Sequence, residues 1–234
     1  MKMRVDGAVR KVAAYSILGI SLSGHKECLG LWVAPSESAS YWASVLSELK
    51  NRGLEDVLIF SVDNLSGISE AIEAVYPKAE IQKCVVHQIR NSLKYAASKD
   101  RKGLANTLKL IYQASTEEKA QLGLVELERQ WGKKYPHVIS SWKSNWPELS
   151  TFLKYPPEIR RLIYTTNPIE NLHRRLRKAV KIRIIFPTQE SAMKLLYLAI
   201  EEMNKKHTGR IKNWSSIYPQ LMVYFQDRVE QYLR

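Results

Sequence analysis

The 234-residue chain is 45% apolar and 25% charged, which permits one large core, or one domain with an inserted subdomain, and excludes general disorder. No run of about 18 apolar residues occurs, so no membrane-spanning helix is expected; two cysteines, Cys28 and Cys84, exclude a disulfide framework and suit a reduced, cytoplasmic protein. The net charge of +13 is uneven: residues 1–87 hold 9 basic against 10 acidic side chains and residues 88–234 hold 27 against 13, which points to a polyanion met by the second part or to a generally basic protein.

The start, Met-Lys-Met-Arg-Val-Asp-Gly, lacks the apolar stretch of a secretory signal. Lys2–Val5 reads as a short strand ended by the hairpin signal Asp6-Gly7. Val9–Ile20 is β-rich and is expected to be one strand, followed by the turn Ser23-Gly24 and a strand over Glu27–Val33. Pro35-Ser36-Glu37-Ser38 opens a helix with Trp42, Val45, Leu46 and Leu49 on one face, closed by Gly53. Val57–Val62 is a continuous apolar run, expected to be a strand buried on both faces. A helix over Ile68–Val75 and a short strand over Glu80–Lys83 complete an α/β first third. From about Val86 to Tyr155 the pattern is helical, with breaks near Ser98–Asp100, Ala114–Thr116, Tyr135-Pro136 and Trp146-Pro147, and a hard stop at Tyr155-Pro156-Pro157. Further helices fit Asn167–Lys181, with Asn167 as cap and Pro168 in the first turn, then Gln189–Lys205 after the Phe186-Pro187-Thr188 start, and Trp214–Tyr232.

Two acids stand out. Asp63 ends the most apolar strand, the edge at which open α/β sheets bind ligands, although an Asp there also suits the cap of the next helix. Glu170 lies in the first turn of a helix that continues with Arg174, Arg175, Arg177 and Lys178; this arrangement can set a metal beside a phosphate backbone, or be a solvated helix with an ordinary Glu–Arg pair. Cys84-Val-Val-His87 supplies only two of the four ligands of a structural zinc site and reads as a local packing and hydrogen-bond pair.

Several ordered blocks carry a resemblance. Gly24-His-Lys-Glu-Cys-Leu-Gly-Leu-Trp32, Ser38-Ala-Ser-Tyr-Trp42, Val62-Asp63 and Cys84-Val-Val-His-Gln-Ile-Arg-Asn-Ser-Leu-Lys-Tyr95 are followed by Lys99-Asp-Arg-Lys102, Trp131-Gly-Lys-Lys-Tyr-Pro136, Tyr164-Thr-Thr-Asn-Pro-Ile-Glu170 and Phe186-Pro187. In this order they resemble the Mutator-type bacterial insertion-sequence transposases. The resemblance implies a ribonuclease H-like fold, a mixed sheet flanked by helices with a large all-helical insertion. The implied division is a first core part over 1–85, the insertion over 86–160 and completing helices over 161–234.

It also implies cut-and-paste DNA strand cleavage and transfer at an Asp-Asp-Glu cluster holding Mg²⁺ or Mn²⁺, with Asp63 as the second acid and Glu170 as the third, 106 residues apart in between. The first acid is expected before Met1, so the chain is expected to be a truncated product without strand-cleavage activity; a DNA-binding remnant is the alternative. Cys84 and His87 match the family's Cys-x-x-His element. Arg90, Lys94, Arg174, Arg175, Arg177 and Lys178 are the expected backbone contacts to double-stranded DNA, both element ends and target, and a homo-oligomer acting on paired ends is implied. Asn64 and Lys181-Ile-Arg-Ile184 depart from the family's usual Gly and Lys-Asn-Arg-Gly.

Overall fold

The computed structural model describes residues 1–34, 38–164, 167–181, 183–206 and 209–232. Residues 35–37, expected to open the first long helix, and 165–166 and 182, parts of two motifs quoted above, lie outside it. The side chains of 167 and 168, expected to cap and start a helix, also lie outside the described residues.

In chain order the elements are β1 (Lys2–Val5), β2 (Ala8–Lys11), β3 (Ala13–Ile20), β4 (Lys26–Ala34), α1 (Ala39–Asn51), β5 (Ile59–Val62), α2 (Ile68–Val75) and β6 (Glu80–Lys83). Then follow α3 (Val85–Lys94), α4 (Arg101–Tyr112), α5 (Glu117–Trp131), α6 (Pro136–Ser144), α7 (Trp146–Leu149), α8 (Pro157–Ile163), α9 (Asn167–Val180), α10 (Gln189–Lys206) and α11 (Trp214–Glu230). The chain is α/β, and its ladders among the described residues are three two-stranded pairs. It divides into two compact units: one built from Met1–Glu55 with Asn167–Arg234, the other from Asp56–Thr166.

The first unit is organised by strand alternation. Asp6 and Gly7 both take positive φ (50° and 78°), the two-residue turn whose twist matches a hairpin, so β1 and β2 pair antiparallel with Val5 opposite Ala8. The expected single strand over Val9–Ile20 is two. The β1–β2 pairing runs out at Val12, which is buried and exchanges backbone hydrogen bonds with Met1 (both 3.0 Å), and the chain then takes a new partner, β3 with β4.

Both faces of the β3–β4 ribbon are covered, because successive side chains point to opposite sides. Tyr15 meets Trp42 of α1 edge-on (5.2 Å, 82°), and Trp32 donates its indole N–H to Glu48 of the same helix at 2.9 Å. Ala14, Leu31 and Val33 face the other way, onto Leu172 and Leu176 of α9 and Leu196 and Ile200 of α10. Helix starts follow the local capping chemistry: Ser38 accepts from Tyr41 N–H to begin α1, and Thr188 accepts from Ser191 N–H to begin α10.

The second unit holds one parallel pair, β5 with β6, joined by α2, and a helical remainder. The expected strand over Val57–Val62 begins only at Ile59, and none of its four residues is fully buried, so the expectation of burial on both faces is corrected. Helices α4 and α5 touch closely, since a Cβ at Gly123 would sit 2.8 Å from the Leu110 backbone. Leu104, Leu108, Leu127, Trp142, Tyr155 and Ile159 fill the interior.

β6 is tied to the helices by a buried amide. Gln82, with no exposed surface, donates to the Leu149 carbonyl (3.1 Å) and to the Lys83 carbonyl (2.7 Å), and accepts from Phe152 N–H (2.5 Å). Thr151 adds a hydroxyl bond to the Ile81 carbonyl at 2.7 Å. Replacing this amide by an apolar isostere strands several buried polar groups at once. Gln82→Leu is therefore expected to lower stability by about 2–4 kcal/mol in urea denaturation, whereas Gln121→Ala on the exposed side of α5 leaves it within about 0.5 kcal/mol.

Candidate functional site

The parallel register of β5 and β6 builds the site. Val62 lies opposite Lys83, so the next residue of each strand, Asp63 and Cys84, emerges from neighbouring strand ends. The Cys84 N–H donates to the Val62 carbonyl at 2.7 Å and holds that alignment one step beyond the ladder. Cys84 is also the N-cap residue of α3, with extended backbone (φ −63°, ψ 109°), and His87 is three residues on, the spacing at which a first-turn side chain reaches back to the cap.

The result is a cluster. One ligating atom each of Asp63, Cys84 and His87 lie within 4.8 Å of one another. Cys84 is buried at 3% exposure, while the side chains of Asp63 and His87 are 30% and 31% exposed, so the group opens to solvent on one side. Asp63 Oδ1 is 2.5 Å from His87 Nδ1, and that nitrogen is itself cut off from solvent. The contact is a short polar one between a carboxylate oxygen and a ring nitrogen.

Two sequence expectations change here. Asp63 is not the N-cap residue of α2: Gly67 holds that position, with φ 75°. Cys84 and His87 are not a self-contained pair, because Asp63 joins them. The missing signal was register, since Val62-Asp63 and Lys83-Cys84 become neighbours only when the two strands are aligned.

Glu170 belongs to the other unit. It sits half-buried in the first turn of α9. One turn further, His173 Nε2 is 2.9 Å from Ser16 Oγ on β3, a contact that fixes α9 on the ribbon and that the sequence did not single out. Leu172 and Leu176 are buried on the same helix, while Arg174, Arg175, Arg177 and Lys178 are all exposed, so the cations stand on its open side. Arg174 is steadied by Asn171, whose Oδ1 accepts at 3.2 Å. In the second unit, Arg90 and Lys94 are exposed one turn apart on α3, the helix that carries His87. Burial pushes the Cys28 thiol above its ordinary range, with a backbone hydrogen bond at Gly30 acting the other way; Cys28 belongs to the first unit.

Residues 1–209 match the family model described as "Transposase, Mutator family". The chain is 42% identical over 229 residues to the transposase for insertion sequence element ISRM3 of Rhizobium meliloti (strain 1021), covering 97% of this chain and 57% of that protein. It is equally similar, at 42% over the same length and coverage, to a probable transposase for an ISRM3-like element of Sinorhizobium fredii. A probable insertion-sequence transposase of Corynebacterium diphtheriae is 36% identical over 253 residues, covering all of this chain and 74% of the relative. The chain belongs to the Mutator family of transposases. It spans 57% of the length of the first two of these relatives. Among the described residues no helix is long and apolar enough to cross a membrane.

Because Asp63 and His87 are each nearly one-third exposed, their contact is expected to contribute little to the fold. Asp63→Ala should change the free energy of unfolding by less than about 1 kcal/mol. A loss of several kcal/mol would show Asp63 to be a structural residue.

Proposed function

We propose that this chain is the part of a DNA transposase that carries two acids of a metal-dependent strand-cleavage and strand-transfer centre, Asp63 and Glu170. The observation that carries it is Asp63 itself, an open carboxylate at the end of a parallel strand pair in a chain that belongs to a transposase family. The family supports a ribonuclease H-like core, with the helices of 86–160 as an insertion.

The donor set bears on the metal. Asp63 offers the hard oxygen that Mg²⁺ requires, and Mg²⁺ commonly takes one or two carboxylates and completes its shell with water and phosphate. Cys84 and His87 are sulfur and nitrogen donors and do not belong to a Mg²⁺ shell. The fit is thus to Asp63 and Glu170 as separate carboxylate ligands. A bound Mg²⁺ or Mn²⁺ would supply charge stabilisation at the scissile phosphodiester and an activated water or 3′-hydroxyl.

The protein's own residues do the rest. Asp63 is steadied by His87, which limits the carboxylate's freedom and prepares its orientation. Arg174, Arg175, Arg177 and Lys178 contact phosphates and fix the register of the duplex on α9, and Arg90 and Lys94 do the same on α3. Element ends and target are both double-stranded DNA, and two or more copies of the protein act together on paired ends in the bacterial cytoplasm, at the nucleoid.

Binding to a terminal inverted repeat is expected to fall with salt at about 0.9 log units per neutralised phosphate per log unit of salt. Arg174→Ala combined with Arg177→Ala should flatten that slope by up to about 1.8. Any Mg²⁺- or Mn²⁺-dependent nicking of that DNA is expected to be lost in Asp63→Ala. Binding that ignores salt would overturn the DNA contacts, and nicking that survives Asp63→Ala would overturn the catalytic role of Asp63.

A further inference from the structure

We propose that Asp63, Cys84 and His87 form a binding site for a thiophilic divalent transition-metal ion of the zinc class, separate in its chemistry from any Mg²⁺ function of Asp63.

Geometry comes first. The three donor atoms lie within 4.8 Å of one another. A tetrahedral ion with bonds of about 2.0–2.3 Å to oxygen, nitrogen and sulfur holds its ligands about 3.3–3.8 Å apart. To take up such an ion the Asp63–His87 contact of 2.5 Å has to widen and the 4.8 Å envelope has to narrow by about 1 Å, a side-chain adjustment. Three backbone hydrogen bonds hold the chain beneath. Cys84 N–H is bonded to the Val62 carbonyl (2.7 Å), Val85 N–H to the Tyr164 carbonyl (3.1 Å) and Gln88 N–H to the Cys84 carbonyl (3.1 Å).

Chemistry then selects the ion. One carboxylate, one imidazole and one thiolate form a borderline-soft set, which suits zinc-class ions and excludes hard, oxygen-seeking ones. Asp63 and the Cys84 thiolate together balance a divalent charge. On binding, the Cys84 Sγ–H bond breaks, its proton passes to solvent and a sulfur–metal bond forms, with no change of oxidation state. Three protein ligands leave the fourth position to water, and the partial exposure of Asp63 and His87 provides the entry path. Such an ion would occupy Asp63 Oδ1 and compete there with Mg²⁺. That consequence rests on the catalytic role proposed for Asp63; the site itself does not.

Cobalt(II) titrated into the reduced full chain is the probe. One equivalent is expected to give the visible bands of tetrahedral cobalt and a near-ultraviolet sulfur-to-cobalt charge-transfer band, both bleached by zinc and unaffected by excess Mg²⁺. Cys28→Ser should leave the spectrum intact and Cys84→Ser should remove the charge-transfer band. His87→Ala and Asp63→Ala, each with an unchanged far-ultraviolet circular dichroism spectrum, should weaken cobalt binding at least about ten-fold. No charge-transfer band in the wild-type chain, or one that survives Cys84→Ser or is lost in Cys28→Ser, overturns the site. The readout involves no DNA, so its failure leaves the transposase reading standing, and failed DNA binding leaves this site standing.

Discussion

The alignment of two short parallel strands is the constraint on which the functional account depends. With Val62 opposite Lys83 and the Cys84 N–H on the Val62 carbonyl, Asp63, Cys84 and His87 come together at one pair of strand ends. A slip of one residue would turn Asp63 to the other side of its strand and break the cluster. Gln82 and Thr151 resist such a slip, because their buried bonds lock β6 to the helices beside it. The polar side chains that specify β6 thereby also specify the site at its end.

The other half of the account rests on amphipathic burial. Leu172 and Leu176 settle α9 on the β3–β4 ribbon, and His173 meets Ser16 there. Once that face is committed, Arg174, Arg175, Arg177 and Lys178 have only the open side to occupy. A sequence this basic could simply be soluble; four cations gathered on one exposed face of a helix, one turn beyond Glu170, concentrate the charge where a phosphate backbone can use it.

What could be read from the sequence was local. Ser38 with Trp42, Val45, Leu46 and Leu49 marks α1, Thr116 marks α5, and Tyr135-Pro136 and Tyr155-Pro156-Pro157 mark helix boundaries, because caps, periodicity and proline act within one turn of chain. The division of Val9–Ile20 at Val12 was not legible, since no turn residue interrupts that run; the chain changes partner there, from the hairpin that Met1 and Val12 close to β4. The kink at Phe225 within α11 gave no local signal at its own position either, although Pro219 lies one and a half turns before it. Asp63 was legible as a strand-end acid, but its companions were not, because Cys84-Val-Val-His87 displays two ligands in sequence and the third arrives through strand pairing.

The central functional claim is that Asp63 and Glu170 ligate shared divalent ions although 106 residues separate them. Mn²⁺ affinity, measured by electron paramagnetic resonance with inverted-repeat DNA present, tests it through a double-mutant cycle of Asp63→Ala and Glu170→Ala. A shared centre predicts that each single change loses nearly as much affinity as the pair together. Losses that add independently would contradict it.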